Sequence, residues 1–81
     1  MSEKIAKLQG LVLGVVRAKK AYGATDEEIE KALSLRHQSA SARRRELVLK
    51  NLVVDSGGTR IGGGGRRVTV WVARQEPKKK P

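Results

Sequence analysis

The chain has 81 residues with no cysteine, no phenylalanine, one tyrosine, one tryptophan and a formal net charge of +10. That length bounds it to a single domain with an aliphatic core, and the missing thiols exclude a disulfide scaffold or a thiolate metal site. So large a positive charge asks for a polyanionic partner, most commonly nucleic acid; an anionic membrane surface competes, but no basic amphipathic helix with aromatic anchors supports it.

The charge is unevenly placed. Asp26, Glu27, Glu28 and Glu30 make residues 22–35 acidic, whereas the stretches on either side are basic. The apolar run from Leu11 to Val16 closes at Arg17, too short for a membrane span and followed by no small-residue cleavage site. A cytoplasmic protein without membrane contact is therefore expected. A lone His37 forms no metal site by itself, and no cofactor loop is evident, so no cofactor is expected.

Residues 1–3 are expected to fray. Residues 4–20 read as a first helix, because Ile5, Leu8, Val12, Val15 and Lys19 recur at steps of three and four, and Leu11 and Val16 widen the stripe. Gly10 and Gly14 weaken it, and a strand through the β-branched part is the alternative. Arg17, Lys19 and Lys20 suit the end of a helix, and Gly23 lies beyond as a stop. Thr25 followed by Glu28 is a capping box, with Asp26 and Glu27 filling the positive first turn. Ile29, Ala32 and Leu33 then face inward on a short helix ending near Ser34. The acids thus have a structural explanation rather than a catalytic one.

After a break at Ser34-Leu35-Arg36, another helix begins near His37 or Gln38, with Ala40, Leu47 and the stems of Arg43 or Arg44 directed inward. Two short helices joined by a tight turn, the second polar at its front, match helix-turn-helix spacing. Glu30 is expected to pair with Arg43 or Arg44. Lys50-Asn51 ends the helix, since Asn tolerates the left-handed conformation. Leu52-Val53-Val54 opens a strand, and Val68, Val70 and Val72 alternate with Thr69, Trp71 and Ala73 in a second. Residues 55–67 between them read as a long flexible tip with four successive glycines, Gly62 to Gly65, flanked by Arg60, Arg66 and Arg67. A phosphate loop is disfavoured, because no Lys-Ser or Lys-Thr follows and a strand comes next. Residues 75–81 read as a disordered basic tail.

The order helix, helix, turn, helix, strand, glycine-rich tip, strand over residues 4–74 resembles the winged helix-turn-helix fold, of α+β class. The resemblance is carried by Thr25-Asp26-Glu27-Glu28-Ile29, Leu33-Ser34-Leu35 and Ser39-Ala40-Ser41. It continues in Arg43-Arg44-Arg45-Glu46-Leu47, Lys50-Asn51-Leu52-Val53-Val54-Asp55 and Arg66-Arg67-Val68-Thr69-Val70-Trp71-Val72. The chain is similar to small winged-helix proteins of bacteriophages and their prokaryotic hosts, and more loosely to MarR-type regulators. It departs from them at Ser34 and Asn51, where Gly is frequent, and lacks the long dimerisation helices of MarR-type proteins, so a monomer or weak dimer is expected.

The resemblance implies a non-enzymatic protein that binds double-stranded DNA as a transcriptional regulator. Arg36, His37, Gln38, Ser39, Ser41, Ala42 and Arg45 would face the major groove or its rim. Gln38 would read adenine and Arg36 or Arg45 guanine, while Ser39 and Ser41 would bind phosphate or cap the helix. Thr59, Arg60, Arg66 and Arg67 would be the wing contacts. Two alternatives use other partners: an RNA-binding or ribosome-associated module, and a protein-interaction adaptor anchored by Trp71.

Overall fold

The structure, a computed structural model, describes residues 3–74. Of the ends for which fraying and disorder are expected, residues 1 and 2 and the tail 75–81 lie outside it, whereas Glu3 is helical. Among the described residues, α1 (Glu3–Ala18), a 3-10 turn (Lys20–Tyr22), α2 (Asp26–Leu33) and α3 (His37–Leu49) precede the strands β1 (Val53–Ile61) and β2 (Arg67–Ala73). The strands pair antiparallel, so three helices are followed by a hairpin in winged-helix topology.

α1 meets the core through Val12 and Val16, both fully buried, and through Gln9, while Leu11 is 45% exposed. Gln9, Val12 and Val16 are three and four residues apart, so they share one side of the helix. The stripe is therefore rotated from the one expected, and it begins with a polar residue. Beyond α1, Lys20 adopts a left-handed φ of 51°, and the turn ends at Gly23 with a φ of 71°. Glycine is required there, since an added Cβ would lie 2.6 Å from the Trp71 carbonyl oxygen and from a Val70 methyl. The close approach lets Ala24 and Trp71 exchange two backbone hydrogen bonds of 2.8 Å. This bridge turns an expected plain connection into a short rung on the second edge of β2.

α2 starts as expected: Thr25 Oγ1 accepts from the Glu28 amide, and a Glu28 carboxylate oxygen accepts from the Thr25 amide, both at 3.2 Å. It stops where Ser34 turns left-handed at φ 54° and the Leu35 amide donates to the Glu30 carbonyl at 3.0 Å. Asn51 likewise ends α3 with a φ of 62°. Ile29, Ala40, Leu47 and Val53 join Val12, Val16 and Ala24 in one core, with Leu33, Leu35, Trp71 and Ala73 packed against it. Trp71 and Ala73 thus face the helices, while Val70 and Val72, which alternate with them, flank Gly23.

The hairpin corrects the expected long tip. β1 continues through residues 53–61, with a bulge between Asp55 and Thr59. There the Asp55 carboxylate accepts from the Gly57 amide at 2.8 Å, and Ser56 Oγ accepts from the Gly58 amide at 3.1 Å. These side chains satisfy glycine amides that a flexible loop would leave to water. The true tip is a tight turn: Gly65 donates to the Gly62 carbonyl at 3.0 Å, and Gly62 to that of Arg66 at 2.8 Å. Gly65, at φ 81°, supplies the left-handed residue that such a hairpin loop needs.

Candidate nucleic-acid interface

The acidic helix is tied to its surroundings. Arg44 donates from Nε and Nη2 to the two Asp26 oxygens, at 2.9 and 2.8 Å. Its guanidinium also lies over the Trp71 ring, 4.1 Å from the centroid. Burial alone would raise the Asp26 carboxyl. The Arg44 hydrogen bonds and charge, helped by Ser41 and His37, outweigh burial and hold it below the ordinary carboxylate value.

Glu30 does not pair with Arg43 or Arg44, as expected, but with His37, at 2.6 Å from Nδ1. The reason is helix geometry. Glu30 is in the last turn of α2, beside the first residue of α3, whereas Arg44, two turns along α3, reaches back to the first residue of α2. The Glu30 hydrogen bond and charge raise the His37 pKa above its ordinary value.

Arg43 is used on the other side of α3. Its Nη2 donates to Glu46 Oε2 at 3.0 Å, while its Nε lies 2.8 Å from Oε1 without hydrogen-bond alignment. Gln9, nearly buried, donates to Glu46 at 2.7 Å and accepts from Lys50 Nζ at 2.7 Å, which locks α1 to α3. The Gln9 bond, then Arg43, depress the Glu46 pKa. Gln9 was not foreseen among the inward residues of α1, although its spacing from Val12 and Val16 marks it as one.

These ties leave one face of α3 free. Gln38, Ser41, Ala42 and Arg45 are spaced i, i+3, i+4 and i+7, and together with His37 and Glu46 they line a shallow concavity. Arg36, His37, Gln38 and Arg45 are exposed, Ser39, Ser41 and Ala42 half-buried. Ser39 lies outside this concavity. Arg36 occupies the N-cap position with no side-chain cap bond, so it and the following amides leave the positive helix end open. Neither expected serine role as a helix cap is seen; Ser41 Oγ instead accepts from Arg44 Nη2 at 3.5 Å.

The wing divides its arginines. Arg60, expected to reach DNA, is held on the body: Nη1 donates to both Glu28 oxygens at 2.6 Å, and Nη2 donates to the Tyr22 carbonyl. Its guanidinium also stacks 3.8 Å from the Tyr22 ring centroid. The cause is register, because Arg60 sits opposite Val68 on the strand face turned toward the 3-10 turn and the start of α2. The tip is tethered too, since the Gly63 amide donates to both Glu27 oxygens at 3.2 and 3.3 Å. Thr59, Arg66 and Arg67 remain exposed. Arg67 and His37 line opposite sides of a cleft between the wing and the helix pair, with Glu30 and Trp71 in its walls.

Among the described residues, Arg36, Arg45, Arg66 and Arg67 form no ion pair. No helix there is long and apolar enough to cross a membrane. Comparisons with protein-family models, curated proteins and solved structures returned no match.

Proposed function

We propose that this chain is a non-enzymatic, double-stranded DNA-binding protein that inserts the front of α3 into the major groove. The observation that carries the reading is the concavity that Gln38, Ser41, Ala42 and Arg45 line on α3, whose uncapped start holds the exposed, unpaired Arg36. A helix of this width fits the major groove, where Gln38 has the geometry for adenine and arginine that for guanine. The uncapped amides suit a phosphate. Arg66 and Arg67 take the backbone beside the groove, and the carboxylates of α2, already bonded to protein groups, repel it less than their number suggests.

Wing contact thus passes from Arg60 to Arg66 and Arg67. Trp71, half-buried beneath Arg44, supports the cleft rather than offering a free anchor for a protein partner. With roughly four to seven phosphates neutralised, the logarithm of affinity should fall against that of salt with a slope of about −4 to −6. Titration of a duplex across salt concentrations tests this, and a slope near zero would contradict it. Tighter binding to structured RNA than to duplex DNA would favour the RNA-binding alternative.

A further inference from the structure

The sheet face opposite Thr69 and Trp71 carries a second surface. Val54 and Val72 floor an open groove of about 740 Å³ that Ala73 also borders, and Arg17, Lys20 and Arg74 stand around it. Val54 and Val72 are directly opposite each other across the strands. Both are half-buried, while the three cations are exposed and form no ion pair among the described residues. One of them, Lys20, is held in the left-handed conformation, which a lysine rarely adopts.

We propose that this groove docks an acidic segment of a partner protein, its aliphatic side chains on the valine floor and its carboxylates against the three cations. The combination selects the occupant. A phosphate backbone would meet the cations but leave the floor without an apolar partner. A second copy of this chain is poorly matched, because the carboxylates of α2 and α3 are bonded internally. The segment that follows Arg74 carries three lysines against one glutamate and shares the sign of the rim. An acidic peptide with alternating apolar residues satisfies both floor and rim. Because the groove lies across the sheet from the cleft of His37 and Arg67, its occupant does not exclude DNA at α3. The inference does not depend on the DNA reading.

The test is a nuclear magnetic resonance titration of the isotope-labelled full chain with a synthetic peptide of alternating aspartate and leucine. An all-aspartate peptide of equal charge and a short DNA duplex serve as comparisons. The alternating peptide should shift the amides of Arg17, Lys20, Val54 and Val72 and bind about tenfold more tightly than the all-aspartate one. The double variant Arg17→Glu, Arg74→Glu should weaken it by about tenfold while the spectrum stays dispersed. Should that variant not fold, Lys20→Glu, outside any strand or α-helix, should weaken binding in the same direction. Equal affinity for the two peptides, or shifts centred on α3 and Arg66, would overturn the proposal by marking a generic polyanion contact. So would concentration-dependent shifts at the groove without peptide, the sign of a second copy. Cross-relaxation from residues 75–81 to Val54 or Val72 in the free chain would overturn it by assigning the groove to the chain's own tail.

Discussion

Arg44 joins three elements at once: it grips Asp26 at the start of α2, belongs to α3, and covers Trp71 of β2. The two side chains of the ion pair are only 14% and 19% exposed, so removing one strands a poorly hydrated charge. Arg44→Ala should therefore cost about 2–4 kcal/mol in denaturant unfolding, whereas Arg45→Ala, on the exposed face, should change stability by less than about 0.5 kcal/mol. Equal costs would place Arg44 outside the framework. Linkage gives each group its own pH window. Asp26 and Glu46 are depressed from 3.8 and 4.5, so their contributions are present above those values and lost as pH falls through the lower folded ones. His37 is raised from 6.5, so its bond to Glu30 stabilises fully below 6.5 and is lost as pH rises through the higher folded value. Melting curves of His37→Gln should lack that decline above pH 6.5. An unchanged profile would mean that the pair does not form in solution.

At the level of elements, α1 contains two glycines that its packing does not require. A Cβ at Gly10 or Gly14 meets nothing within 4 Å. Gly14→Ala should thus raise stability by about 0.5–1 kcal/mol in thermal unfolding, and a loss would show that α1 packs differently. Ser34→Gly should also stabilise modestly, because it relieves the left-handed turn between α2 and α3. Much of this framework was legible beforehand. Thr25 and Glu28 announce α2 through side chains that bond within the next turn, and Asn51 marks the end of α3 for a similarly local reason. The Gly23 contact and the Ala24–Trp71 bridge were hidden, because they depend on where β2 comes to lie. The extent of β1 was misread for another reason: Asp55 and Ser56 bond the amides of Gly57 and Gly58, so a loop-like composition becomes a bulge inside a strand. Within the candidate interface, the inward positions Ala40 and Leu47 of α3 followed from spacing, whereas its outward residues came from the fold resemblance. The partners of Glu30 and Arg60 did not, since charge alone names several candidates and only helix crossing and strand register select among them.

For the whole molecule, the excess positive charge resolves into cations with internal partners and cations without. Arg43, Arg44 and Arg60 hold the helices and hairpin together. Arg36, Arg45, Arg66 and Arg67, on α3 and the adjacent wing, form no ion pair among the described residues. Arg66→Ala should weaken binding to all duplexes alike and reduce the salt slope by about one, while Arg60→Ala should act mainly on stability. The proposed function requires the α3 face to read base pairs. Its most direct test is a selection of bound sequences from a random duplex pool, made with the native chain and with Gln38→Ala. The native chain should enrich a short motif, and Gln38→Ala should lose about 1–3 kcal/mol of preference at one position of it while retaining affinity for random DNA. Absence of an enriched motif, or an identical motif from both proteins, would contradict base reading by this face.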